Sequence, residues 1–293
     1  MPRITEYNAS TSSQGTPSLD NADVFILDGT NGSRKITALS LAEAMGDKLS
    51  ASGAAKPYGK SGMYRGANLG SGTTFESAST AAQRAAIADG SFTGLFIGDY
   101  WTINSKVYRI ADFNYWKRTG DSDFNVNHIV LVPDASFGNG KMNTENVTTG
   151  AYVGSEMYTD QSSVLNTARS AISTAFGNYL CTIKKYLPTT VSNGVETGGA
   201  WTASTVDLMS EIEVYGCRIK SCHSTNYTTE KSQLALFRLN PNMVNKDRYT
   251  YWLRDVVSGA VFAYVTYGGI ANGNNASSSI GVRPDFAVKG TTN

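Results

Sequence analysis

The stretch from residue 251 to residue 284 constrains the fold most, because short apolar segments alternate there with turn-forming residues. Residues 251–254 (YWLR) and 262–267 (FAYVTY) have the aromatic and β-branched content of strands, and residues 281–284 (GVRP) begin a third. Between the last two, residues 268–279 contain only Gly, Asn, Ala and Ser apart from one Ile. The pattern predicts strand, turn, strand, long polar loop and strand.

The predicted polar loop has the composition of an adaptable recognition surface. Asn, Ser and Gly supply hydrogen bonds, while neighbouring tyrosines supply rigid amphipathic contact area. We therefore predict a ligand-binding surface that consists of Tyr249, Tyr264, Tyr267, Asn272, Asn274, Asn275 and Ser277. Residues 142–152 and 247–249 are further candidates for the same surface. The alternative, that the loop is ordinary solvated turn structure, stays open because Asn-Gly and Asn-Asn pairs also favour turns.

The charge composition excludes several classes of partner. Of the 293 residues only 17% are charged, and 25 Lys and Arg nearly balance 24 Asp and Glu. Such a chain has no overall field that would attract nucleic acid or an anionic membrane. No apolar run approaches the roughly 20 residues that span a bilayer, and the first residues lack the pattern of a signal peptide. We expect a protein made in a cytoplasm, without membrane insertion and without a nucleic-acid partner.

The three cysteines, Cys181, Cys217 and Cys222, do not indicate a disulfide framework, because their number is odd. We expect buried free thiols, and a bridge between Cys217 and Cys222 stays open for oxidising surroundings. His223 follows Cys222 directly, but a zinc site needs four ligands and His128 is remote in sequence. We predict no metal site and no cofactor.

Composition divides the chain into an N-terminal segment, residues 1–55, and a body, residues 56–293. In the first segment, residues 22–28 and 33–37 predict a hairpin around the Asn-Gly pair, and residues 38–49 predict a short helix capped by Thr37. Elements this small bury too little surface to be stable alone. We therefore expect them to pack on a partner or on another copy of the chain.

In the body, hydrophobic periodicity predicts helices at residues 80–88 and 162–176, and apolar runs predict strands at 100–103, 107–113 and 128–133. Residues 178–186 are predicted to be helical or irregular, and residues 205–215 to form a third helix.

Catalytic patterns are weak. Glycoside hydrolysis needs two carboxylates about 5–10 Å apart, and Glu211 and Glu213 point in different directions on either a strand or a helix. Serine or cysteine chemistry would depend on His128 or His223, and neither stands in a suitable motif. We expect His128 to be a hydrogen-bonded structural histidine. Trp252 and Arg254 have two interpretations, a sugar-binding pair or a buried pair in which Arg254 meets an acid such as Asp255 or Asp285, and we favour the second. We predict that the protein is not an enzyme.

Several short segments, distributed over most of residues 20–288, resemble known virion proteins. They are residues 22–37 (ADVFILDGTNGSRKIT), 97–101 (IGDYW), 150–158 (GAYVGSEMY), 206–211 (VDLMSE), 231–234 (KSQL), 251–255 (YWLRD) and 281–284 (GVRP). The first resembles the attachment segment of fibre proteins in phages of Firmicutes, and the others resemble a domain that recurs in those proteins. The C-terminal part also resembles C-type-lectin-like modules, which include phage receptor-binding proteins.

The resemblance implies an α+β protein in which a short N-terminal anchor hairpin and helix precede a β-rich C-type-lectin-like domain. It implies a homotrimeric tail fibre or receptor-binding protein on the virion, attached to other virion proteins through residues 1–50, that binds a host-surface glycan or protein. A capsid head fibre or decoration protein is the alternative, and a polysaccharide depolymerase is a third hypothesis. Asn240-Pro241-Asn242 lacks the carboxylates of the calcium-binding motif of animal lectins, so we expect hydrogen bonds and aromatic stacking to hold any sugar.

Overall fold

A computed structural model describes residues 24–27, 34–37, 62–119, 124–223 and 232–292. The chain divides into two compact units, Met1–Gly59 and Lys60–Asn293. In the first unit, strands β1 (Val24–Leu27) and β2 (Arg34–Thr37) pair antiparallel, within the stretches predicted to form a hairpin. The predicted helix at residues 38–49 lies outside the described residues.

The second unit contains a six-stranded sheet with the order β10-β15-β6-β5-β4-β3. Its strands are β3 (Asn68–Gly72), β4 (Tyr100–Ile103), β5 (Lys106–Phe113), β6 (His128–Pro133), β10 (Val206–Leu208) and β15 (Pro284–Lys289). Strands β4 and β5 form the predicted hairpin, and Asn104 and Ser105 make its turn with positive φ angles of 48° and 63°. Strand β6 is buried along its whole length, as its continuous apolar run predicts.

A five-stranded sheet has the order β13-β12-β11-β14-β7, and strands β8 and β9 form a separate ribbon. The strands are β7 (Asn139–Gly140), β8 (Ile183–Ser192), β9 (Val195–Ser204), β11 (Tyr251–Ser258), β12 (Val261–Val265), β13 (Ala271–Asn275) and β14 (Ile280–Gly281). Buried side chains cover both faces of strand β12, because Ala263 and Val265 belong to one hydrophobic cluster and Phe262 to the other.

The helices are short, with one exception. They are α1 (Phe75–Ala78), α2 (Ala81–Ala88), α3 (Glu156–Thr159), α4 (Val164–Phe176), α5 (Glu211–Tyr215) and α6 (Ala235–Leu239), with 3₁₀ turns at Gly177–Tyr179 and Pro241–Asn245. Helix α4 buries the predicted i, i+3, i+4 stripe, which includes Leu165, Ala168 and Ile172, and Ser163 caps its first turn. The predicted α+β class is confirmed, whereas the likeness to C-type lectins stays a prediction.

Three predictions for individual elements are wrong. Residues 268–279 are not one loop, because Ala271–Asn275 form the edge strand β13 against β12. Backbone ladder bonds do not depend on side-chain type, so an Asn-rich segment pairs where its neighbour fixes the register. Residues 178–186 enter strand β8 after a single 3₁₀ turn, and residues 205–215 divide into strand β10 and helix α5. The ribbon had a usable signal, since Asn193-Gly194 is a typical two-residue hairpin turn.

Candidate functional site

The hairpin of β12 and β13 divides the predicted ligand-binding residues between different surfaces. Tyr264 pairs with Asn272, and Phe262 pairs with Asn274, so these four side chains share one face of the sheet. Tyr264 is half-buried, with its ring 6.2 Å from that of the buried Trp252. Asn275 is exposed on the edge strand. Tyr264, Asn272, Asn274 and Asn275 do not line either of the two depressions described below.

Ser277 and the two other tyrosines lie elsewhere. The backbone amide of Ser277 donates to Oδ1 of Asn146 at 3.1 Å, which joins this turn to one of the further candidate segments. Tyr267 is 73% exposed and Tyr249 is 56% exposed. Each lines a different depression beside the segment that contains Asn245 and Lys246. The predicted binding surface is therefore not a single surface.

The larger depression is an open groove of about 740 Å³. It lies between the turn that follows β12 and the segment after helix α6. Its lining is aromatic, amide-rich and cationic, and consists of Tyr215, Gln233, Pro241, Asn242, Val244, Asn245, Lys246, Arg248, Tyr267, Gly268 and Gly269. We call this surface the Tyr267 groove. Such a mixture of rings and hydrogen-bonding groups is typical of small-ligand sites.

One wall of the Tyr267 groove is fixed by Arg283. Its guanidinium donates to the carbonyl oxygens of Met243 and Val244 at 3.1 and 3.0 Å, and to that of Pro133 at 2.8 Å. The hydroxyl of Tyr251 also donates to the carbonyl of Val244, at 2.8 Å. Arg283 therefore holds the 3₁₀ turn Pro241–Asn245 against the six-stranded sheet. Tyr251 and Arg283, which belong to the predicted C-terminal strands, thus support this wall of the groove.

The opposite wall is the turn from Thr266 to Ile270. It is closed by hydrogen bonds between Thr266 and both Gly269 and Ile270, and Nδ2 of Asn245 donates to the Thr266 carbonyl at 2.8 Å. The hydroxyl of Tyr215 donates to the Gly269 carbonyl at 3.1 Å. Gly269 has a φ of 78°, in the left-handed region where a side chain is strained. The backbone of the turn that carries Tyr267 is therefore held in place by hydrogen bonds.

The charged side chains that line the Tyr267 groove, Lys246 and Arg248, are both positive. Lys246 pairs with Asp134 at 2.6 Å, and Asp134 also receives two bonds from Arg109 at 2.6 and 2.7 Å. Burial raises the pKa of Asp134, but the hydrogen bonds and charges of Arg109 and Lys246 outweigh it, so the pKa is lowered. Arg248 is exposed, and within the described ranges of the chain no carboxylate pairs with it.

The second unit also contains a buried network of ionisable side chains. Six carboxylates (Glu196, Asp207, Glu211, Glu213, Asp255 and Asp285) and the cations Arg169, Lys185, Arg218 and Arg254 take part. Asp207 and Asp285 stand directly opposite each other on β10 and β15. Like charges at such a pair destabilise a sheet unless cations compensate them. Arg169 contacts Asp207 at 3.3 Å, and Lys185 contacts Asp285 at 3.0 Å.

Arg254 and Lys185 are the two fully enclosed cations of the network. Nη1 of Arg254 donates to Glu213 at 2.8 Å and to the Leu208 carbonyl at 2.6 Å, and the Arg254 side chain is 3% exposed. The buried interpretation of Trp252 and Arg254 is thereby confirmed; Glu213 is the acid in direct contact, and the charges of Asp285 and Asp255 also act on Arg254. Burial raises the pKa of Glu213, but Arg254 and Lys185 outweigh it and lower that pKa.

Two carboxylates, Glu196 and Asp255, share the cation Arg218. Its Nη1 lies 3.2 Å from Glu196 and 3.3 Å from Asp255. Burial, and then the charge of Asp255, raises the pKa of Glu196 to about 8. Burial, and then the charge of Glu213, raises the pKa of Asp285 to about 7. The network has more carboxylates than cations, and these two groups keep protons at a higher pH than ordinary carboxylates do.

The carboxylate of Glu211 anchors a surface loop. It accepts hydrogen bonds from the backbone amides of Ile219, Lys220 and Ser221 and from the Ser221 hydroxyl, at 2.6 to 3.2 Å. Glu211 and Glu213, which the sequence offers as a carboxylate pair, are both buried and both engaged in such contacts. This arrangement holds structure and leaves neither carboxylate open to a substrate.

The cysteines and histidines fit structural roles. Cys181 is buried, and burial raises its pKa to about 12. Cys217 and Cys222 are free and exposed, so the expectation of buried thiols is wrong for these two. They lie at the two ends of the loop whose amides at Ile219, Lys220 and Ser221 donate to Glu211. His128 is buried, its Nδ1 lies 2.9 Å from the Val126 carbonyl, and its Nε2 accepts from the Trp116 amide at 3.2 Å, as predicted for a structural histidine.

In the described ranges, no three His, Cys, Asp or Glu side chains are grouped so that they could hold a metal ion. No helix in those ranges is both long enough and apolar enough to cross a bilayer.

Comparison with known proteins gives one match. Residues 161–290 are similar to a family described as Domain of unknown function (DUF6273). The matched segment contains the whole lining of the Tyr267 groove and every member of the buried network. No curated protein matches the chain, and no solved structure matches it. The match assigns the groove and the network no activity.

Among the residues that line the groove, Tyr267 and, as a further candidate, Arg248 were predicted from the sequence. Most of the other lining residues were not. Tyr215, Gln233 and Asn245 come from separate segments that only the fold brings together. No local pattern marks these residues. The echo of a lectin motif, Asn240-Pro241-Asn242, gave a partial signal, because Pro241 and Asn242 do line the groove.

Proposed function

We propose that this protein is a recognition protein of a virion and that the Tyr267 groove binds a saccharide of the host surface. The observation that carries the proposal is the exposed ring of Tyr267 on a hydrogen-bonded turn, beside a groove lined with amides. A sugar ring offers an apolar face for stacking and hydroxyls for hydrogen bonds, and the groove offers both kinds of partner. Virion location, attachment through residues 1–50 and the homotrimer come from the resemblance and belong to the same proposal.

Weak binding at one groove suits this role. An open groove of this kind buries only part of a ligand, so we expect modest affinity for a single site. Several copies on one particle raise the effective concentration of the remaining sites after the first has bound. A trimeric fibre would therefore hold a polymeric saccharide firmly without a deep pocket.

We predict that Tyr267→Ala weakens binding of the purified protein to glycans on an array by at least about tenfold, since an aromatic anchor contributes about 1–2 kcal/mol or more. Tyr249→Ala is the matched control, because Tyr249 is also an exposed tyrosine but lines the neighbouring depression. Its affinity should change less than about twofold. Equal losses in both variants, or unchanged binding by Tyr267→Ala, would place the site elsewhere.

A further inference from the structure

The Tyr267 groove selects by charge as well as by shape. Its lining includes two cationic side chains, Lys246 and Arg248, and no carboxylate. The groove therefore offers a saccharide rings, amides and positive charge. This feature separates it from the buried network, where carboxylates outnumber the cations.

The two cations are not equivalent. Lys246 already pairs with Asp134, so its ammonium is engaged within the protein, although it shares that carboxylate with Arg109. Arg248 has no carboxylate partner in the part of the chain that the structure describes, and it is exposed. A guanidinium in this state keeps its fork of donors available for a carboxylate or phosphate from outside.

The backbone also fixes the position from which the side chain of Arg248 extends. Its φ is 57°, a left-handed value that is uncommon for a residue other than Gly, Asn or Asp. The amide of Arg248 donates to the Asn245 carbonyl at 3.3 Å, which ties it to the 3₁₀ turn that Arg283 holds. Such a conformation persists where the surrounding structure dictates it. The guanidinium therefore extends from a fixed position on the rim of the groove.

We infer that the Tyr267 groove takes an anionic saccharide, whose carboxylate or phosphate group pairs with Arg248 while a sugar ring contacts Tyr267. The inference rests on the proposed function and narrows its ligand class. A charge-assisted, bidentate contact is stronger than a neutral hydrogen bond and requires the acidic group to stand in one orientation. Neutral saccharides leave Arg248 unused and should bind more weakly.

The test compares three polymers with one backbone: dextran, carboxymethyl dextran and dextran phosphate. Binding to the full-length protein is measured at low and at physiological ionic strength. We expect the two anionic polymers to bind at least about tenfold more tightly than dextran, with a loss on addition of salt. The polymer that binds more tightly identifies the acidic group as carboxylate or phosphate.

Arg248→Met should remove this preference, and Lys141→Met is the control, because Lys141 is an exposed cation outside the groove lining. Equal effects of the two substitutions, equal binding of all three polymers, or no binding at all would overturn the inference. If neutral dextran or an arrayed neutral glycan binds with dependence on Tyr267 but not on Arg248, the proposed function stands and the anionic ligand is wrong. If no saccharide binding depends on Tyr267, the proposed function itself fails.

Discussion

Arg254→Met is expected to destabilise the second unit by about 3–5 kcal/mol, because it removes the nearer of the two cations that compensate the buried carboxylate of Glu213. Arg254 contacts Glu213 at 2.8 Å, and the side chain of Glu213 has no exposure to solvent in which its charge could be hydrated. The Leu208 carbonyl also loses the guanidinium bond at 2.6 Å. Thermal unfolding should therefore shift to lower temperature by roughly 10 °C for a unit of this size.

Two further variants show whether the loss arises from the uncompensated charge. Arg248→Met removes the same side chain from an exposed position, and its free energy of unfolding should change by less than about 0.5 kcal/mol. Adding Glu213→Gln to Arg254→Met removes the buried charge that lost its partner, so it should recover part of the stability. If Arg254→Met costs less than about 1 kcal/mol, the network does not stabilise the fold as the contacts imply.

Stability should be highest near pH 5 and fall as the pH rises toward 8. The pKa of Glu196 is about 8 in the folded state against an ordinary value of 4.5, and that of Asp285 is about 7 against 3.8. Between these values the folded protein binds more protons than the unfolded chain, so the free energy of unfolding decreases with increasing pH. Glu213 acts in the opposite direction, because its pKa is lowered and its contribution is lost as the pH falls below the ordinary range.

Glu196→Gln tests the origin of this pH dependence. The amide oxygen can still accept from the Val256 amide, which donates to Glu196 at 3.0 Å, and Arg218 keeps Asp255. We expect the unfolding temperature of the native protein to fall by roughly 5–10 °C between pH 5 and pH 8.5, and the variant to lose about half of that fall. Glu145→Gln, which changes an exposed carboxylate, should retain the native profile. A flat native profile, or an unchanged slope in Glu196→Gln, would contradict the assignment.

The elements that the sequence predicts correctly are those in which local pattern and burial agree. Helix α4 follows from its apolar stripe and the cap at Ser163, and strand β6 follows from its continuous apolar run. Strand β13 does not, because an edge strand depends on the ladder of its neighbour and not on its own β propensity. Part of the predicted loop therefore forms strand β13. Only the turn before this strand, with Tyr267, Gly268 and Gly269, lines the Tyr267 groove.

The buried network is hidden from sequence reasoning for a different reason. Lys185 and Asp285 are 100 residues apart in sequence and 3.0 Å apart in space. Charged residues are usually solvated, so each of these residues taken alone predicts a surface position. Only the pairing of β10 with β15, and the ribbon beside them, brings the opposite charges together. The Tyr267 groove combines distant segments in the same way, which explains why only one of its tyrosines was predicted.

Nuclear magnetic resonance of the labelled protein, titrated with short carboxymethyl-dextran fragments, tests most directly whether the Tyr267 groove is the saccharide site. We predict amide shift changes at Asn245, Lys246, Arg248, Gly268 and Gly269, with little change along strand β13. Changes confined to β13 or to the β8–β9 ribbon, with an unaffected groove, would contradict this prediction.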